Sequence, residues 1–212
     1  MPTEVVCERN PSKLSTFKIL GPEMILLNQY VSLKDQVDIV YMCDKWGVEP
    51  GGFYEPYYIK GEEYRIHMCF GLGWDPKTPP VPHQLISLAA KAVEDAQAHL
   101  DRLPSMSPNT CLVCFYPLSC GCIGLHQDRD ESGRGSLVVS IFIGEAAEFV
   151  YRLCGDNKSQ SVLMQSGDVL IYGGRSRHIY HGVTQIKQNM PLLLLQETGI
   201  KAGCLNLTLT QF

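Results

Sequence analysis

The segment CLVCFYPLSCGCIGLHQDRDESGRGSLVVSIFIGEAAEFVYRLCGDNKSQSVLMQSGDVLIYGG, residues 111–174, decides the fold class. Short apolar and β-branched runs recur along it: CLVCFY (111–116), SLVVSIFI (136–143), AEFVYRL (147–153), SVLMQ (161–165) and DVLIYGG (168–174). Gly, Asp, Asn and Ser separate them, and PLLLLQE (191–197) and CLNLTLTQF (204–212) continue the series as further β-type runs. Such spacing predicts an all-β sandwich or barrel rather than βαβ units.

Outward from this segment, the N-terminal half reads as mixed. MILLNQYVS (24–32) predicts a strand running to Ser32. Ser32 then suits a helix N-cap, with Asp35 at the third helical position. Leu33, Val37, Val40 and Tyr41 recur at three and four up to Trp46, so one helical face should pack on a core, and Gly47 ends the helix. GGFYEPYYIK (51–60) is aromatic and loop-like, and GLGWDPKTPPVP (71–82) is a breaker-rich connection. Pro82 opens a second helix, with Leu85, Leu88, Ala89, Ala92, Val93, Ala96 and Leu100 along one side. The expected architecture is α+β, two helices and some loops against a β-core. Residues 1–20 form an extension, 21–108 a helical region and 109–212 the core.

Composition sets bounds on function. In 212 residues, 45% are hydrophobic and 19% charged, enough for one domain with a substantial core. The formal net charge of -4 excludes bulk attraction to nucleic acid and leaves only a local basic patch to contact phosphates. Nine cysteines are many, but the segment after Met1 is polar, with no apolar leader. A cytoplasmic or nuclear location with reduced thiols is therefore expected. Cys111 and Cys114 form a CxxC, but no second pair stands at zinc-ribbon spacing, so they read as strand residues. No apolar run approaches the ~18 residues of a membrane span, and no obligate protein partner is implied.

LHQDRDE (125–131) carries the sharpest chemical signal. Side chains two apart in a strand share a face, so His126 and Asp128 should point together. RHIYHGV (177–183) adds His181 just after the DVLIYGG run. Two histidines and one carboxylate with open positions form the facial triad of non-haem Fe(II) oxygenases. An HxD with a distant histidine also recurs by chance, as a hydrogen-bonded strand histidine and a turn aspartate. His178 competes with His181, and three residues apart in a strand only one can ligate. His67, His83 and His99, in the helical half, read as surface residues.

LHQDRDE, SGDVLIYGGRSRHIYHGV (166–183) and LNLTLTQF (205–212), in this order, closely resemble the AlkB-like family of Fe(II)- and 2-oxoglutarate-dependent dioxygenases. The resemblance runs from about residue 110 to the C-terminus and more loosely over 20–100, which would be the family's nucleotide-recognition region. It implies a double-stranded β-helix (jelly-roll) core with the N-terminal helices packed against it. It implies Fe(II) held by His126, Asp128 and His181, with Asp130 helping to read the base. The implied reaction removes N-alkyl groups from bases of single-stranded DNA or RNA, as in DNA repair, with 2-oxoglutarate converted to succinate and an aldehyde released. The base must be flipped out or unpaired to be reached. Substrate contacts are also expected from a basic rim of Arg129, Arg134, Arg175, Arg177 and Lys187. Phe53, Tyr54, Tyr57, Tyr58, Phe70 and Trp74 are candidates to stack on the base.

The chain departs from the family in its last strand. The family pattern Arg-x-Asn-x-Thr-x-Arg here reads Cys204-Leu205-Asn206-Leu207-Thr208-Leu209-Thr210. Cosubstrate contacts therefore fall to Tyr116, Asn206, Thr208, Cys204 and Thr210. A thiol and a hydroxyl replace two permanently charged bidentate donors, and Cys114 stands where the family's Asn-x-Tyr has asparagine. Binding of 2-oxoglutarate is expected to be impaired, with Arg177, Lys187 or Lys201 as possible substitutes. The alternative reading is a catalytically degenerate paralogue that binds nucleic acid or acts as a scaffold. A cupin is disfavoured, because no further metal-ligating histidines are placed for it.

Overall fold

The computed structural model describes residues 4–6, 16–47, 57–59, 62–64, 67–71, 78–119, 122–128 and 137–211. Its strands, in chain order, are β1 (Glu4–Val6), β2 (Thr16–Gly21), β3 (Met24–Leu27), β4 (Tyr57–Ile59), β5 (Glu62–Tyr64), β6 (His67–Gly71) and β7 (Thr110–Pro117). The series continues with β8 (Ile123–His126), β9 (Val138–Gly144), β10 (Ala146–Arg152), β11 (Gln160–Met164), β12 (Val169–Tyr172), β13 (Tyr180–Lys187) and β14 (Gly203–Thr210). The helices are α1 (Leu33–Gly47), α2 (His83–Gln97) and α3 (Leu192–Thr198).

Two antiparallel sheets face each other. The major sheet has the order β1-β2-β3-β12-β9-β14-β7-β6, and the minor sheet β11-β10-β13-β8. This is the expected α+β jelly roll. The N-terminal half contributes more than helices: β2 and β3 lie on one side of the major sheet and β6 forms its other edge. β4 and β5 make a separate two-stranded ladder.

Period-two alternation divides the core in two. On β14, Leu205, Leu207 and Leu209 turn toward the helices and join Ile39, Leu85, Ala89 and Val93. Cys204, on the opposite face, packs between the sheets with Phe142, Phe149 and Tyr151. β9 is buried along its whole length because it serves both layers. Each fully buried Leu or Phe contributes roughly 1.5–3 kcal/mol, so the helix-covered face anchors the major sheet, which faces the minor sheet across the site.

Several expectations are corrected. PLLLLQE is not a strand. Pro191 caps α3, Gly199 closes it at φ +62, and of its four leucines only Leu194 is buried. Leucine is a good helix former, and flanking proline and glycine outweigh an apolar run of this length. The strand from Met24 ends at Leu27, because Gln29 adopts φ +46 and gives its N–H to Asp168. α1 is capped by Ser32, whose Oγ accepts from the Asp35 N–H at 3.2 Å. Its buried face is Gln36, Ile39, Val40 and Cys43, and Tyr41 is exposed. Gln36 is buried because its amide donates to the Val31 carbonyl and accepts from the Ser166 hydroxyl. Phe70 is wholly buried in the core and is no base platform. Phe53, Tyr54 and Trp74 lie outside the described residues. No helix among the described residues is long and apolar enough to cross a membrane.

Cys43, Cys111, Cys114 and Cys204 are buried, in keeping with the reading as strand and core residues, whereas Cys122 and Cys154 are exposed and lie outside the strands. Cys111 and Cys114 point to opposite faces of β7, one into each core, so they cannot chelate together. Burial pushes the thiols of Cys43, Cys114 and Cys204 up to about 12, which keeps them protonated and unreactive.

Candidate metal centre

β-sheet register creates the centre. β13 pairs antiparallel with β8 so that His181 stands directly opposite His126. Their rings lie 4.6 Å apart between centroids. Gly182 makes the approach possible. A Cβ there would meet the Ile123 carbonyl oxygen at 2.5 Å and that of Gly124 at 2.9 Å. The ladder is irregular between His181 and Val183, next to this glycine.

Asp128 follows β8 by two residues and returns to the same side. Its Oδ1 lies 3.7 Å from Nε2 of His126 and 3.7 Å from Nε2 of His181. The three ligand atoms fall within 4.8 Å of one another, the donor set of a facial triad. Among the described residues no other such cluster occurs. His178 is exposed, and its ring is no part of this group.

The surroundings orient each donor. The Gly124 carbonyl lies 2.9 Å from Nδ1 of His126, and the Ile179 carbonyl 3.4 Å from Nδ1 of His181. A carbonyl can only accept, so Nδ1 carries the proton and the Nε2 lone pair faces Asp128. Burial lowers the pKa of His181, partly offset by the Asp128 carboxylate, which favours the neutral ring that a metal requires. The outer oxygen of Asp128, Oδ2, accepts from the Tyr172 hydroxyl at 3.4 Å and faces Nη1 of Arg177 at 3.6 Å. The carboxylate is thus held with one oxygen turned toward both imidazoles. The His126 side chain is 40% exposed and that of His181 only 13%, so the centre opens to solvent on the His126 side.

Beneath the triad a cavity of about 100 Å³ reaches between the sheets. Tyr116, Asn206 and Thr208 line it, as do Cys114 and His67. His67 is exposed, as expected, but it lies on the edge strand β6, where pairing with Cys114 of β7 brings it to the border of the cavity. Cys204 and Thr210 do not line the cavity. Cys204 is wholly buried beside it, and Thr210 sits half-buried at the end of β14.

The expected basic rim is reduced. Arg177 is buried against Asp128 and cannot reach a phosphate. Arg175 pairs with Glu23, and Lys187 with Glu148. Asp130, Arg129 and Arg134 lie outside the described residues. Tyr172, which sequence reasoning missed, had only its place at the end of the DVLIY run to mark it.

Comparison with known proteins places this geometry. Residues 23–209 match the 2OG-Fe(II) oxygenase superfamily. The chain is 42% identical over 224 residues to DNA N(6)-methyladenine demethylase ALKBH1D of Arabidopsis thaliana, covering 92% of this chain and 50% of that protein. It is 30% identical over 192 residues to the alpha-ketoglutarate-dependent dioxygenase AlkB of Salmonella typhimurium, covering 79% and 83%. The solved structure of OsALKBH1 superposes with a TM-score of 0.83 at 36% identity, covering 92% of this chain and 100% of that one. The chain spans about half the length of the plant relatives it matches.

Proposed function

Since the chain belongs to the 2OG-Fe(II) oxygenase superfamily, we propose that it removes N-alkyl groups oxidatively from nucleic-acid bases, using Fe(II) held by His126, Asp128 and His181. The observation that carries this reading is the convergence of Oδ1 of Asp128 with both Nε2 atoms at an opening on the His126 side. The names of its relatives, a DNA N(6)-methyladenine demethylase and AlkB dioxygenases, support a nucleic-acid substrate. Bound there, the iron would supply activation of dioxygen at the expense of a 2-oxo acid. The protein's own part is to keep both Nε2 atoms unprotonated, to hold Asp128 through Tyr172 and Arg177, and to leave one side open. A base entering from that side must be unpaired, because the centre lies between two sheets.

We also propose that 2-oxoglutarate binds weakly, on the ground that Cys204 and Thr210 stand where the family pattern has arginine. The test of function is mass spectrometry of methylated single-stranded DNA and RNA after incubation with protein, Fe(II) and, in parallel, excess 2-oxoglutarate, 2-oxobutanoate or 4-methyl-2-oxopentanoate. Methyl loss in the wild type and none in His181→Ala is expected. Equal loss in both, or none in either, would sink the reading.

A further inference from the structure

The floor of the cavity bears on which cosubstrate the centre accepts, given a metal ion held by His126, Asp128 and His181 as proposed. No Lys or Arg occurs among the described residues that line the cavity. Two of its polar side chains, Asn206 and Thr208, are already bonded within the protein. Nδ2 of Asn206 donates to Oγ of Ser140 at 2.8 Å and to the Ile141 carbonyl at 3.1 Å, which uses both amide hydrogens. Oγ1 of Thr208 spends its hydrogen on Oδ1 of Asn206 at 3.1 Å. The Tyr116 hydroxyl also faces the cavity, and burial keeps it neutral. His67 borders the same space, and desolvation lowers its pKa, so it is uncharged near neutrality. Leu112, Phe142 and Phe149 complete the lining with apolar surface.

A second carboxylate placed here would lose its hydration and meet no cation. Asn206 and Thr208 could give it a hydrogen bond only by breaking one already made, and the neutral Tyr116 hydroxyl offers no charge to balance it. An uncharged tail meets neither penalty. We propose that the cavity takes a 2-oxo acid with a single carboxylate, its 2-oxo acid end toward the metal ligands and its uncharged tail toward Leu112, Cys114 and Phe142. The structure thereby assigns the loss of the family arginines to a change of cosubstrate class rather than to loss of the site.

Calorimetry on the whole chain loaded with Mn(II) tests this without turnover. The probes are 2-oxoglutarate, 2-oxobutanoate and 4-methyl-2-oxopentanoate. At least one monocarboxylate should bind tenfold or more tighter than 2-oxoglutarate, a difference of about 1.4 kcal/mol. Thr208→Arg, which brings a guanidinium into the lining, should reverse the preference. The wild-type comparison decides by itself if that variant does not fold. Equal or tighter binding of 2-oxoglutarate by the wild type overturns the proposal, because a cation has then reached the cavity from elsewhere in the chain. Binding of Mn(II) with no 2-oxo acid bound also overturns it and leaves the metal reading intact. Failure to bind Mn(II) removes the metal reading, and this proposal with it.

Discussion

Arg177 illustrates how a sequence-level role changes once its neighbours are known. Beside HxD and a distant histidine it reads as one more rim cation, yet its guanidinium is buried with Nη1 3.6 Å from Oδ2 of Asp128, a proposed metal ligand. Its work is therefore to position a ligand. Groups behind a ligand typically account for 10–100-fold in metal affinity. Arg177→Met, which keeps the volume and removes the charge, should weaken Mn(II) binding by about that factor, measured by calorimetry at constant pH. Unchanged affinity would return Arg177 to a purely structural place. Gly182 makes a second, independent demand. A methyl group there collides with two backbone carbonyls of β8, and backbone cannot yield as a side-chain tip can. Gly182→Ala should push His126 away from His181 and lower metal affinity tenfold or more, with the fold retained by circular dichroism. Retained affinity would show that β8 can shift without cost to the centre.

At the level of elements, the sequence was legible where pattern and context agree. Alternation on β14 places its leucines on the helix side and its polar residues inward, as observed. The HxD parity needs only an extended chain, and His126 and Asp128 do meet. Legibility failed where pairing partners decide. β2, next to the edge strand β1, and β6, at the other edge, are short strands that their neighbours define. α3 failed for a different reason: four consecutive leucines suit a buried strand or a helix equally, and the capping residues settle it. Gly199 offers a direct check, because its φ of +62 is costly for any residue with a Cβ, although the space around it is open. Gly199→Ala should therefore destabilise the protein by about 1–2 kcal/mol through backbone strain alone, seen as a lower urea midpoint with an unchanged slope. No loss would mean that the turn relaxes or that α3 contributes little to global stability.

On the scale of the whole molecule, the proposed nucleic-acid substrate requires a chain of net charge -4 to hold a polyanion. Five cations flank the two halves of the metal motif in sequence, and in a purely linear reading all five could face phosphates. In three dimensions Arg177 is withdrawn into the core, and Arg175 and Lys187 each lie beside a glutamate. A cation already beside a carboxylate must give up that partner to neutralise a phosphate, so it releases few counterions. That leaves Arg129 and Arg134 of the original five. Single-stranded DNA loses affinity with a log–log slope of about -0.7 per neutralised phosphate, so two contacts give about -1.4 and four about -2.8. Fluorescence anisotropy of a labelled oligonucleotide across a range of salt should give the shallower value. Arg175→Ala with Lys187→Ala should leave that slope unchanged. A wild-type slope of about -2.8 that flattens in the double variant would show that Glu23 and Glu148 release their partners when nucleic acid binds. The basic rim would then be assembled by the ligand itself, and the paired state described here would be its resting arrangement.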